Sequence, residues 1–315
     1  MALTPLKIYQ DLKNKNLDKK SAAELLITLI ENSEKDEVRL ESVKLLEKIA
    51  LKDDAVFKIL ENLLISDSNG KVRNLAAKYI KKSFLKYAIA PIKWAIQYES
   101  DYNCILTIIE MLITIDNEES KSILVNEIKK IKKTKYIDKN KQYKNNFRKS
   151  LKSLFKTKKM KTSSCKQLAE IIINYKTIEV MINKFYTLYF KIENGLVVEL
   201  DLSDLGWNVN VWKQKYAERI EKISDIKGLM NLKHLKSLDL SNNRIKDIRD
   251  LINLENLTHL YLSNNKLNLE NMNHFEKMLK LKYLDIHRNP IADKLNISEV
   301  RKKLNIKIKK NLLFE

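Results

Sequence analysis

The sequence predicts an all-α solenoid over residues 1–190, followed by an α/β solenoid of short repeats over residues 191–315. Three observations predict it. LKSLDLSNNRI (235–245), LTHLYLSNNKL (257–267) and LKYLDIHRNPI (281–291) fit one pattern, LxxLxLxxNxL with aliphatic variants, and their starts lie 22 and 24 residues apart. A repeat of that length cannot bury its apolar edge alone, so neighbours must stack on one continuous core. Upstream, apolar residues recur at i, i+3, i+4 and i+7 in short segments between polar turns, the period of packed helices. Between the two regions, FKIENGLVVELDL sets an Asn194-Gly195 pair between β-prone runs.

The helical part is justified segment by segment. SAAELLITLI, VRLESVKLLEKI, AVFKILENLLI, VRNLAAKYIKKSF, YNCILTIIEMLITI and SILVNEIKKI each carry the helical apolar stripe. Capping residues stand at their boundaries: Asp18 before the first, Asp54 before the third, Ser68 or Asn69 before the fourth, and Thr162 to Ser164 before a later helix. Pro91 is expected to open the helix that contains Trp94. Short loops between such helices predict antiparallel pairs stacked as a solenoid. The pairs themselves repeat, because Val38-Arg39 recurs 34 residues later as Val72-Arg73, Ile105 falls 33 further on, and Phe147-Arg148 about 42 beyond that.

With Ala76 after Val72-Arg73 and Ser42 after Val38-Arg39, residues 18 to 160 resemble the HEAT family, whose repeats carry VRxxA at the start of the second helix. Leu106 replaces the arginine in the third unit. The resemblance implies that Arg39 and Arg73 bridge loops between neighbouring repeats.

At Asn194-Gly195 the period changes from helical to alternating. Asn-Gly is the favoured pair for a two-residue type I′ hairpin, since both positions tolerate positive φ. A hairpin here would cap the first strand of the repeat sheet and protect its edge. Beyond it, residues 196 to 310 resemble leucine-rich repeat proteins of the roughly 22-residue type, similar to the regulatory subunits named for binding protein phosphatase. Ile226, Leu229, Leu232 and Leu235, like Ile248, Leu251, Leu254 and Leu257, come three apart and fit a 3₁₀ return path between strands. Asn243, Asn265 and Asn289 stand where an amide can satisfy the backbone of a turn against the next repeat. The first unit, from Val197, has Leu205 where Asn is expected and is followed by an insertion around Trp207 and Trp212.

In a parallel stack, alternate strand residues leave the core, which makes a binding face readable. One row is Asp201, Asp239, Tyr261 and Asp285; the flanking rows are Glu199, Ser237, His259 and Tyr283, and Ser203, Ser241, Ser263 and His287. Acidic residues beside two tyrosines suit a protein partner, because tyrosine offers amphipathic contact area at small entropic cost. A solvated sheet surface is the plainer alternative. Ser263, Asp285 and His287 are the residue types of nucleophilic catalysis, but no glycine-rich elbow supplies an oxyanion hole. On a regular arc, His259, His287 and Asp285 diverge rather than converge on a metal.

Composition narrows the remaining function classes. Four glycines, Gly70, Gly195, Gly206 and Gly228, cannot be assembled into GxGxxG or GxxxxGK, which excludes Rossmann and P-loop nucleotide sites. The histidines form no HExxH pair, and no cofactor is expected. Cys104 and Cys165 lie in no metal-ligand spacing, as expected of free thiols in a reducing compartment. No uncharged apolar run reaches about eighteen residues, and the start, MALTPLKIYQDLKNKN, lacks the apolar core of a secretory signal, so a cytoplasmic protein without a transmembrane segment is expected.

The net charge of +20 is local: residues 1–120 carry 18 basic and 19 acidic side chains, residues 121–166 carry 17 and 2, and the rest 25 and 19. The lysine-rich insert, about residues 129–161, sets Tyr136, Tyr143, Phe147 and Phe155 among lysines, as single-strand binders interleave stacking rings with phosphate contacts. Lys130, Lys132, Lys133, Lys135 and Arg148 are its candidate phosphate ligands. The same spacing also makes Phe147, Leu151, Leu154 and Phe155 one buried stripe, with the lysines merely solvated.

Two readings follow. The first is a non-enzymatic adaptor that grips a protein partner through the concave leucine-rich face, with Glu199, Asp201, Ser237, Asp239, His259, Tyr261, Tyr283, Asp285 and His287 as contacts, and through the helical solenoid. The alternative is a protein associated with nucleic acid or anionic membrane through segment 129–161.

Overall fold

The computed structural model describes residues 3–133, 142–156, 162–185, 188–203, 219–294 and 307–309. Most of the described helices begin where a side chain can take an orphan N–H. Thr4 precedes α1 (Pro5–Lys13), and Asp18 accepts from the Ser21 N–H at 2.8 Å to start α2 (Lys19–Asn32). α3 (Asp36–Ile49) has no side-chain cap but opens on two acidic residues, which favour the positive end of a helix dipole. Asp53, one residue before the expected Asp54, caps α4 (Asp54–Ser66) by accepting from Val56, and Asn69 caps α5 (Gly70–Ser83).

α6 (Ile89–Tyr98) starts two residues before Pro91 rather than at it, and α7 (Tyr102–Ile115) is capped by Asp101. Pro91 still lies in the first turn, where its missing N–H leaves no helical bond unmade. α8 (Glu118–Lys133) follows, with Asn117 accepting from Ser120.

Pairing follows the apolar stripes. α2 packs on α3, α4 on α5 and α6 on α7; across pairs, α2, α4 and α6 form one layer and α3, α5 and α7 the other. Ala76 and Ala77 are fully buried in α5, where larger side chains would hold the layers apart. Arg39 lies at the loop side of this stack. Its Nε and Nη2 donate to the two oxygens of Asp67 at 2.8 and 3.2 Å, and its Nη1 to the Ser33 carbonyl at 2.9 Å. Arg73 repeats the arrangement on Glu99, so each arginine ties its own loop to the loop after the next helix.

The chain divides into two compact units, Met1–Ile128 with Ser163–Ala169, and Lys129–Thr162 with Glu170–Glu315. The boundary expected near residue 190 falls inside the second unit, which also takes in the lysine-rich stretch. α9 (Gln142–Lys156) buries Phe147, Leu151 and Leu154. Phe147 meets Tyr175 edge-on at 5.3 Å, on the long helix α10 (Cys165–Phe185), and Phe190 at 6.3 Å. Val38-Arg39 and Phe147-Arg148 thus do different work, because the latter pair joins the sheet unit rather than a fourth helical repeat.

Strand β1 (Tyr189–Glu193) turns through Asn194-Gly195 into β2 (Leu196–Asp201), with φ of 52° and 81° at the turn as the Asn-Gly pair predicts. A side chain at Gly195 would also meet Leu151 and Ile171, its Cβ standing 2.9 Å from Leu151 Cδ2. The Gly195 N–H donates to Ser150 Oγ on α9, and the Val197 N–H to Asn174 Oδ1 on α10. The hairpin and both helices therefore cap the sheet together.

β2 runs parallel to β3 (Ser237–Asp239), then β4 (His259–Tyr261), β5 (Tyr283–Asp285) and β6 (Lys307–Lys309), in the sheet order β1-β2-β3-β4-β5-β6. Leu200, Leu238, Leu260, Leu284 and Ile308 are in register on the core side, all buried. The return paths to β3 and β4 include 3₁₀ turns over Leu229–Asn231 and Arg249–Asn253, whose Leu229 and Leu251 fill the same core. The path to β5 is a 3₁₀ turn over Leu269–Asn271 followed by a short helix, Met272–Glu276, which buries Phe275. Burying each such leucine is worth about 1.5 to 3 kcal/mol relative to exposure.

Asn243, Asn265 and Asn289 form an internal ladder. Each Nδ2 donates to carbonyls of its own turn and of the preceding repeat, and each Oδ1 accepts one N–H: Ile220, Ile245 and Leu267 at 3.0, 2.9 and 3.0 Å. Asn271 does the same for Ile248 without belonging to the motif. Leu205, Trp207 and Trp212, the irregular part of the first unit, lie outside the described residues.

Candidate functional site

Strand register assembles the polar face of the sheet. Glu199, Ser237, His259 and Tyr283 form one file, which Lys307 extends; Asp201, Asp239, Tyr261 and Asp285 form the next, with Lys309 opposite Asp285 in the backbone register. The lysines were not singled out from sequence, because their strand has lost the motif's asparagine; the alternation in Ile306-Lys307-Ile308-Lys309 is the signal that marks it. β1 adds Tyr189 opposite Asp201 and Lys191 opposite Glu199, with Lys191 Nζ 2.9 Å from the Glu199 carboxylate.

The rings gather at the centre. Tyr261 and Tyr283 lie 5.2 Å apart, and His259 stacks on Tyr283 at 6.1 Å. Beside them, Tyr189, Phe190, Glu199, Asp201, Asp239 and Tyr261 line an open depression of about 380 Å³. Burial pushes the Asp239 carboxyl above the usual aspartate range, opposed by hydrogen bonds from Ser241 and reinforced by the charges of Asp201 and Asp285. Burial and then Asp239, Asp285 and Glu199 likewise push the Tyr261 phenol upward, keeping it a neutral donor.

The file is less uniform than its alternation predicts. Asp285 is only 5% exposed, with its Oδ1 at 2.5 Å from His287 Nδ1. Asp201, Asp239 and Asp285 also accept from the backbone N–H two residues on, at Ser203, Ser241 and His287, closing the turn that ends each short strand. Each of these carboxylates thus shapes its turn, and Asp201 and Asp239 also charge the surface. Ser241 and Ser263, expected in an outward row, are buried, because the strands end at Asp239 and Tyr261 and the chain has already turned inward.

The inward turn buries Ser263, and among the described residues no group of His, Cys, Asp and Glu could hold a metal ion. The repeated file and its asparagine ladder invite comparison with known proteins. A family model described as Leucine rich repeat matches residues 219–267 and 233–291. The C-terminal region therefore carries a leucine-rich repeat module, an architecture that points to protein–protein interaction. No match was found among curated proteins.

The leucine-rich module takes its cap from the lysine-rich stretch, and this changes what that stretch offers. Phe147 is wholly buried, so it is no stacking platform for a base. Lys132 Nζ sits 4.0 Å over the Phe155 ring, which occupies both groups with each other. Lys130 is exposed and Arg148 half-buried. Lys135 and Tyr136 lie outside the described residues, as do the side chains of Lys133 and Tyr143. Among the described residues no helix is long and apolar enough to cross a membrane.

Proposed function

We propose that the chain is a non-enzymatic cytoplasmic adaptor whose leucine-rich sheet face binds a basic segment of a partner protein. One observation carries the reading: Tyr261 and Tyr283 stand half-exposed with their rings in tilted contact beside Asp201 and Asp239, neither of which has a cationic partner among the described residues. The fold has no use for two half-exposed tyrosines there, and an approaching Lys or Arg would relieve the repulsion within the aspartate file. The helical part, in this reading, is a HEAT-like solenoid offering a second surface. The loop-to-loop pairs Arg39–Asp67 and Arg73–Glu99 support that likeness. Two buried free thiols, Cys104 and Cys165, support a reducing compartment.

Affinity capture from native lysate with mass spectrometry tests the proposal. The wild-type chain should enrich a protein through a lysine- or arginine-rich segment, and Tyr261→Ala with Glu199→Lys should lose it while the melting temperature holds within a few degrees. Equal capture by both would end the reading. The alternative, phosphate binding through Lys130, Lys132, Lys133, Lys135 and Arg148, has less to stand on once Phe147 is core and Phe155 lies under Lys132. A mobility shift that falls by orders of magnitude between about 50 and 200 mM salt would restore it.

A further inference from the structure

Trp94, Tyr98 and Tyr87 are 60%, 76% and 50% exposed, three large rings on or just before α6. Helix α6 satisfies its core with Pro91, Ile92, Ala95 and Ile96, all buried, so its stability does not require aromatic residues on the opposite face. Trp94 and Tyr98 are four residues apart and share that face. Beside them the surface sinks into a depression of about 640 Å³ whose lining includes Lys86, Tyr87, Lys93, Trp94 and Glu119. Large exposed rings gathered beside a depression are characteristic of interaction sites, and Trp and Tyr are the residues that most often anchor them.

We propose that this depression is a docking site for an acidic peptide segment that inserts an apolar side chain beside Trp94. Charge selects the occupant. Two lysines and one carboxylate line the depression, and among the described residues neither Lys86 nor Lys93 is ion-paired; Lys86 Nζ lies 4.6 Å over the Tyr87 ring. Acidic side chains on the peptide would meet those lysines at the rim while an apolar one fills the centre, the usual layout of core and rim. An anionic bilayer fits less well, because a flat surface would leave the depression unfilled and bring Glu119 against phosphate. The site lies on the helical unit and does not depend on the leucine-rich face.

Fluorescence anisotropy with the full-length chain tests it, using a labelled peptide of glutamates with leucines three and four apart, and its counterpart with lysines for glutamates. The glutamate peptide should bind and the lysine peptide should not. Trp94→Ala and, separately, Lys86→Glu with Lys93→Glu should each weaken binding at least about tenfold. All these positions are exposed or lie at the surface, so circular dichroism should show unchanged helix content. Failure of the glutamate peptide to bind, equal binding of the lysine peptide, or binding that survives either substitution overturns the proposal. So does binding to phosphatidylserine vesicles without peptide binding, or a Trp94-dependent dimer in light scattering, each of which would assign the surface to a different occupant.

Discussion

Arg73 holds Glu99 through two parallel bonds, Nε to Oε2 at 2.8 Å and Nη2 to Oε1 at 2.6 Å, with the Glu99 side chain 1% exposed. A carboxylate buried that far tolerates its charge only while the guanidinium fork is in place. Burial pushes the Glu99 carboxyl up, but Arg73, the Asp101 N–H and the Cys104 thiol together hold it below its ordinary value. Arg73→Ala should therefore cost about 3 to 5 kcal/mol in urea unfolding at neutral pH. Because the folded value is depressed, the stability Glu99 contributes is present above the unfolded glutamate range and is lost as pH falls through the folded value. The gap between wild type and Glu99→Gln should close on acidification to below about pH 4.

Asp239 titrates with the opposite sign. Its carboxyl is raised by burial and by Asp201 and Asp285, so its charged form opposes folding, and that cost appears as pH rises from the ordinary aspartate value through the raised one. Asp239→Asn keeps an oxygen to accept the Ser241 N–H and removes the charge. It should raise the melting temperature at neutral pH and give no gain at about pH 3. A fall at neutral pH would mean that an unseen cation already balances the file.

Asn265 joins three carbonyls through Nδ2, those of Leu240, Leu262 and Ser263, and takes the Ile245 N–H on Oδ1. Alanine there would strand several buried backbone groups at about 1 to 3 kcal/mol each. Asn265→Ala should lower unfolding free energy by at least about 2 kcal/mol, measured by chemical denaturation, and Asn265→Asp by a similar amount because no oxygen can donate to three carbonyls.

Arg288 occupies the left-handed conformation, φ 55°, that Asn242 and Asn264 adopt in the two preceding repeats. Those asparagines are joined, Asn264 Nδ2 donating to Asn242 Oδ1 at 2.8 Å. Asparagine suffers less than arginine from that backbone and could continue the row. Arg288→Asn should stabilise the chain by about 0.5 to 1 kcal/mol, read as a rise in melting temperature; a fall would show that the Arg288 side chain has contacts that outweigh the strain.

Sequence alone determined the repeat period, the strand register, the Asn-Gly turn and the helical pairing, because each follows from spacing: a period of two or of 3.6 decides which side of a strand or helix meets the core. The files Glu199 to Tyr283 and Asp201 to Asp285 are legible for that reason. Spacing does not say where a strand stops, so Ser241 and Ser263 turned inward and Asp285 closed on His287. Nor does it say which distant segment supplies a partner. That Arg39 meets Asp67, that Phe147 lies against Tyr175 and Phe190, and that Ser150 receives the Gly195 N–H were decided by tertiary packing, since burial depends on neighbours from elsewhere in the chain. Trp94 shows the limit from the other side: its helix was predictable, but its exposure appeared only when the stack around it was complete.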